Sequence, residues 1–532
     1  MFDFSPGEFD QTVALVLGAL AYIGLLSIAG LGLSGWLARF SGITRRSAVF
    51  ALGFALGPVL YAWFVTMMLR YTPGLMPIYY ILGGLTPLLC GVLFLLRSDR
   101  LNLITSESIE PATRIWWIAL IPTVMIALGA SSLAFVLPLH GNDPLEYASV
   151  ARLVANARNI AAYPFANPED GFYGPWTHPP GYTVTLVIGY FVQGHTESAG
   201  VIRMAASYFL FATMGLVFVI AEMMRQRTGY IATFLLVATP ILLHLVVQNH
   251  IDPMRIAAFT ACALILIELC KKPGLGLALL LGAAAGLSHF CHSIGLITLP
   301  LLLPAFLALA PRSLKQRIGL ASISIFAFLP VTMLFMLDSF RLYGSILSDT
   351  PPVWVFTEIP IQNHTAVTRD LDGLGEKIVF GVLKGFTFGR DFGLIYWTAL
   401  LALITLLPFA ALTKSLLSPT LSLVRSVATQ LLGSAIAWLR QILLGVPAIP
   451  TTMRILLFVL ATFYGFVLLT VLLGSDLAVK NSRYLLSVQP FVSAVGAIWL
   501  ASALDRIARD GVVEPFRALW RSVRAIAMSL RA

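Results

Sequence analysis

The chain has 532 residues, of which 58% are hydrophobic and only 11% charged. A soluble domain carries about 25% charged residues, so the composition excludes a soluble enzyme and describes a protein built mostly of membrane spans. The net charge of +10 would suggest nucleic acid in a soluble chain. Here the Lys and Arg occupy short loops and the C-terminal tail, where they orient spans, and nucleic acid drops out as a partner.

Apolar runs of about 17–25 residues predict spans near 11–38, 47–69, 77–96, 115–137, 201–223, 229–247, 253–270, 274–289, 291–310, 318–337, 392–412, 453–474 and 484–504. The expected fold is therefore an all-α polytopic membrane protein of about 13 transmembrane helices. The N-terminus, MFDFSPGEFD, is acidic and has no basic n-region, so a retained first span is expected rather than a cleavable signal peptide. Cys90, Cys262, Cys270 and Cys291 fall in or at the ends of apolar segments without metal or disulfide spacing, which fits core packing.

The positive-inside rule sets the sides. Arg39, Arg45 and Arg46 go to the cytoplasm, as do Arg97 with Arg114, Arg225 with Arg227, Lys271 with Lys272, Arg312 with Arg317, and the basic tail. Tyr182 to Val192 is apolar but short, and counting it as a span would invert every later loop. It is expected to be a second surface-lying or re-entrant helix on the outer side. The segment 413–452 is amphipathic and is expected on the inner leaflet, against membrane lipid.

This topology gathers the chemistry on the outer face, in loops 138–200, 248–252, a turn at 290, 338–391 and 475–483. The first is the longest early polar interruption and holds His140, Asp143, Glu146, His178 and a Pro179–Pro180 stop. Within it, Leu145, Val150, Leu153, Val154 and Ala157 mark one face of a short helix, with Asp143, Glu146 and Tyr147 on the other face near its start. Such a helix should lie on the membrane surface with its acids facing a cavity. An acid pair there could merely complement the helix dipole, an effect of about 0.3–1 kcal/mol. Beside an aromatic loop (Phe172, Tyr173, Trp176) it is also placed to act as a general base or to hold a divalent cation.

Asn249, His250 and Asp252 form the second loop, and His289 and His292 flank the third. The outer histidines raise a metal site, with Asp143, His289 and His292 as ligands and Mg or Mn as the candidate cofactor, although no zinc spacing is matched. Lys480, Arg483 and Tyr484 would ordinarily be interfacial anchors. Positive charge on the outer side also suits a phosphate partner, as does the pair Lys384 and Arg390.

In chain order, DPLEYASVARL with Asp143 and Tyr147, the block His178–Pro179–Pro180–Gly181–Tyr182, the loop Asn249–His250–Ile251–Asp252–Pro253, GRDFGLIYWTALL at 389–401 and Arg483–Tyr484–Leu485–Leu486 resemble the GT-C glycosyltransferases. The likeness is to protein O-mannosyltransferases and bacterial lipid A aminoarabinose transferases. It implies a GT-C-like catalytic module at 113–504, preceded by an N-terminal extension of three spans (1–112) and followed by a cytoplasmic basic tail (505–532). It also implies transfer of a sugar from a polyprenyl-phosphate carrier to a lipid, glycan or protein acceptor. The expected setting is a bacterial inner membrane with the site facing the periplasm. The loop acids Asp143 and Glu146 would be the catalytic pair. Tyr147, His178, His250, Asp252, Arg390, Lys480, Arg483 and Tyr484 would bind substrate, with Arg483 on the carrier phosphate. Where the family often has two adjacent acids, Pro144 follows Asp143 here, and the three first spans lie outside its usual pattern. The alternatives are a transporter or flippase of lipid-linked sugars, or a GT-C-like glycan ligase or polymerase. Ion-coupled transporters keep ionisable groups near the bilayer midplane, whereas those of this chain cluster at span ends.

Overall fold

The computed structural model describes residues 6–43, 45–97, 114–162, 178–343, 450–472 and 486–510. Among these residues all regular structure is helical, as an apolar solvent demands: a helix satisfies every interior backbone N–H and C=O within its own segment. The chain begins with α1 (Pro6–Phe40), α2 (Arg46–Tyr71) and α3 (Pro77–Arg97). Next come α4 (Arg114–Val136) and the short α5 (Asn142–Ala157) and α6 (Gly181–Gln193). The chain continues through α7 (Met204–Met224), α8 (Thr228–Val237), α9 (Pro240–Val247), α10 (Asp252–Lys271), α11 (Leu275–Cys291), α12 (Thr298–Leu309) and α13 (Leu314–Tyr343). The last two described helices are α14 (Thr451–Leu472) and α15 (Gln489–Asp510). Seven helices among the described residues are long and apolar enough to cross a membrane, or eight if the bent pair α8–α9 is one span. The expected spans at 392–412 and the start of the one at 484–504 lie outside the described residues.

Three departures from the sequence-based expectation carry information. The run 229–247 is broken, with α8 and α9 meeting at 63°. Thr239 precedes Pro240, whose ring pushes it to extended backbone (φ −90°, ψ 99°) and ends α8. Secondly, α6 is enclosed by protein: Gly181 to Phe191 are all buried, and the helix packs against α5, α2 and α1. Gly181 permits this, because a Cβ there would come within 2.9 Å of the backbone carbonyl carbon of Phe290 at the end of α11. Thirdly, the expected apolar face of α5 is divided. Leu145 and Leu153 are 48% and 42% exposed, while Tyr147, Ala148, Val150, Ala151 and Val154 are buried. Apolar periodicity cannot tell a core-facing stripe from a lipid-facing one, and here the leucines face outward.

The first three helices are built into the bundle rather than appended to it. Glycines of α1 sit against α2 and α3 so closely that a Cβ on Gly57 would lie 2.7 Å from Gly30 Cα, the small-residue packing typical of helices in lipid. Arg70 on α2 makes a bidentate ion pair with Asp338 on α13, at 2.5 and 2.8 Å. The α2–α3 turn also closes the end of α5: the Arg158 carbonyl, where the chain turns through φ 51°, accepts from Gly74 N at 3.0 Å and Tyr80 Oη at 3.1 Å. The three first spans thus brace the helix that carries Asp143 and Glu146.

Candidate active site

Two short elements create the site. The first turn of α5 places Asp143 at a helix N-terminus, where the dipole favours a carboxylate. The loop between α9 and α10 supplies the rest. Asn249 takes a left-handed conformation (φ 57°) that Asn tolerates better than most residues. Its side-chain Oδ1 accepts from Ala206 N at 3.1 Å, and its carbonyl accepts from Tyr182 Oη at 2.6 Å. His250 and Ile251 follow, and Asp252 and Pro253 open α10 with the acid and proline that a helix start prefers.

The result is a chain of charged groups running inward. Asp143 Oδ2 lies 2.9 Å from His250 Nε2, and His250 Nδ1 lies 2.5 Å from Asp252 Oδ2. The second contact is an ion-pair approach rather than an aligned hydrogen bond. Asp252 Oδ1 accepts from Arg255 Nη2, and Arg255 Nη1 donates to Ser487 Oγ at 2.6 Å. Side-chain exposure falls from 36% at Asp143 to 4% at His250 and 1% at Asp252 and Arg255. Asp143 is therefore the accessible end of a buried relay. Both imidazole nitrogens face carboxylates, so a neutral His250 could donate to only one of them. The chain closes as alternating charges when His250 is imidazolium: carboxylate, imidazolium, carboxylate, guanidinium.

Glu146 is half-buried one turn on from Asp143. Burial, and then the charge of Asp143, push its carboxyl up to about 7. The native state therefore binds more protons than the unfolded chain between the ordinary glutamate range and pH 7, and stability falls as pH rises through that window. Glu146→Gln should melt with the wild type near pH 4.5 and above it at pH 8. A wild-type-like melting temperature at both pH values would show that the carboxyl is not held neutral by its site.

The other expected residues divide. Tyr147 is buried, its ring edge-on to Tyr182 with centroids 5.5 Å apart and 6.3 Å from His178. His178 Nδ1 lies 2.9 Å from Ser293 Oγ, and its ring is 3.9 Å from that of His292. His292 Nδ1 accepts from Ile294 N at 3.1 Å, which caps the 3-10 turn Ser293–Ile297. His289 is buried near Phe328. Among the described residues no group of three His, Cys, Asp or Glu side chains is placed to hold a metal ion, and no step is routed through a cation. Arg390, Lys480, Arg483 and Tyr484, like Lys384, lie outside the described residues. The sequence reading missed Arg255, Ser487 and Ser293. For Arg255 a signal existed, since a lone Arg one turn after an Asp in an apolar run needs a partner.

Residues 177–335 match the family described as dolichyl-phosphate-mannose-protein mannosyltransferase. The match covers less than half of the chain but runs from His178 through most of α13, and so includes His250, Asp252 and Arg255. The match supports the GT-C resemblance: over this stretch the chain is similar to membrane glycosyltransferases of GT-C type. No curated protein and no solved structure matches the chain.

Proposed function

We propose that the protein transfers a sugar from a polyprenyl-phosphate carrier to an acceptor at the outer, periplasmic face of a bacterial inner membrane, with Asp143 as the base. The observation that carries this reading is the pairing of accessible Asp143 with buried His250 at 2.9 Å. The proton shared between Oδ2 and Nε2 leaves the other carboxylate oxygen of Asp143 to take the proton of an acceptor hydroxyl or amine as that group attacks the sugar's anomeric carbon. The bond from that carbon to the phosphate oxygen breaks, and the carrier phosphate leaves with the electron pair. Asp252, neutralised by Arg255, holds the imidazole in place. Glu146, Tyr147 and His178 orient the acceptor.

The leaving phosphate is assigned to Arg483, with Lys480, Tyr484 and Arg390 contributing, since guanidinium binds phosphate bidentately. Support comes from Ser487. It is tied to Arg255 at the inner end of the relay, and Arg483 stands four residues earlier in the chain, a reach of at most about 14 Å. Reconstitution with a polyprenyl-phosphate-linked sugar tests the reading. A new glycosidic product is the expected outcome, and carrier-linked sugar crossing the vesicle unmodified would instead identify a flippase. Arg483→Ala should raise KM for the carrier, the loss of a charge-assisted pair corresponding to about 10–100-fold. An unchanged KM would remove Arg483 from the donor site.

A further inference from the structure

A cavity of about 540 Å³ lies between α1, α2 and α7. Its walls are almost entirely apolar, Ile23, Phe54, Phe211, Gly215 and Phe218 among them, with Ser47 at one end. Along α7 the lining runs from Met204 to Val219, about 22 Å at 1.5 Å per residue, which exceeds one bilayer leaflet of about 15 Å. Phe211 is 40% exposed, and Leu17 and Leu20 of the neighbouring α1 are 60% and 61% exposed, so the slot opens on a side that meets lipid. An apolar cavity does not hold water; in a bilayer, hydrocarbon fills it.

The charge at one end says which hydrocarbon. Ser47 directly follows Arg45 and Arg46, Arg39 stands in the last turn of α1, and the described lining residues include no acid. Arg46 Nε is buried with no hydrogen-bond partner among the described residues. This end is also the far end of α7 from the reactive cluster, which touches that helix near Ala206 through Asn249. A lipid seated here would therefore carry its phosphate well away from Asp143.

We propose that this slot is a binding site for an anionic phospholipid, one acyl chain lying along α7 and the phosphate paired with Arg45 and Arg46. The site is separate from the sugar-transfer site and gives the first helices a second task, to couple the bundle to acidic lipid. Gly215 offers a clean test, because it lines the slot and a Cβ added there meets nothing within 4 Å, so a side chain can start into the slot from this position.

The full chain would be purified in mild detergent, supplied with either phosphatidylglycerol or phosphatidylcholine, and examined by native mass spectrometry and thermal melting. Wild type and Gly215→Ala should retain one phosphatidylglycerol in preference to phosphatidylcholine and melt higher in its presence. Gly215→Phe should lose the bound lipid and the thermal shift, and Arg45→Gln with Arg46→Gln should lower phosphatidylglycerol retention about tenfold, to the level of phosphatidylcholine. Equal retention of the two lipids by wild type, an unchanged lipid count in folded Gly215→Phe, or a polyprenyl phosphate as the species displaced would overturn the proposal.

Discussion

Asp143→Asn is expected to lower sugar transfer by about 10²–10⁴-fold, the usual contribution of a positioned general base, while expression, melting temperature and carrier binding stay near wild type. The carboxylate is 36% exposed, so its amide loses little packing and remains in contact with water. What it loses is the ability to accept the acceptor's proton. His250→Ala should fall in the same direction but should also destabilise the fold, because His250 is only 4% exposed and its removal leaves Asp252 without its imidazole. A steady-state assay that separates kcat from carrier KM distinguishes the cases. Loss confined to kcat in Asp143→Asn supports a base, and wild-type turnover in that variant would exclude Asp143 from the chemistry.

Arg255→Met should be the most destabilising single change in the described relay, at about 3–5 kcal/mol, because it strands a buried carboxylate. Arg255 is among the largest fully buried side chains of the structure and binds both Asp252 and Ser487. Replacing both members of the pair, Asp252→Leu with Arg255→Met, should recover much of that stability, as apolar replacement of a buried ion pair often does, yet should leave transfer impaired because His250 is no longer held. Thermal unfolding of the purified variants alongside activity reads both effects. If the double variant regained transfer as well as stability, the relay would be structural only. Thr239 adds a second tie between the same parts, since Gln489 Nε2 donates to its hydroxyl at 3.1 Å, joining the start of α15 to the break between α8 and α9.

Most of the bundle was legible because lipid leaves few choices: a long apolar run must be a helix, and the described helices follow the hydropathy runs. The acids and histidines of loops 138–200 and 248–252 were legible for the converse reason, since polar side chains are scarce in such a chain and each needs a purpose. What pattern alone could not supply was orientation. Leu145, Leu153, Val150 and Val154 share one apolar face by spacing, yet the structure exposes the two leucines and buries the two valines. The burial of α6 depends on Gly181 meeting Phe290, a contact between distant segments. The Thr239–Pro240 break was available in the sequence, but the composition of 229–247 stays apolar across it and masks the bend. Arg255 was hidden inside an apolar run, and its partner Ser487 lies 232 residues away.

The most direct measurement joins the two halves of the proposed chamber. In a cysteine-free background, Asp143→Cys and Arg483→Cys would be treated on intact cells with a membrane-impermeant thiol reagent, and then as a pair with a short bifunctional one. Labelling of both from outside, with an intramolecular crosslink in the pair, is the expected result. Protection of either position until the membrane is opened, or single labelling of each without a crosslink, would contradict a shared outward-facing site.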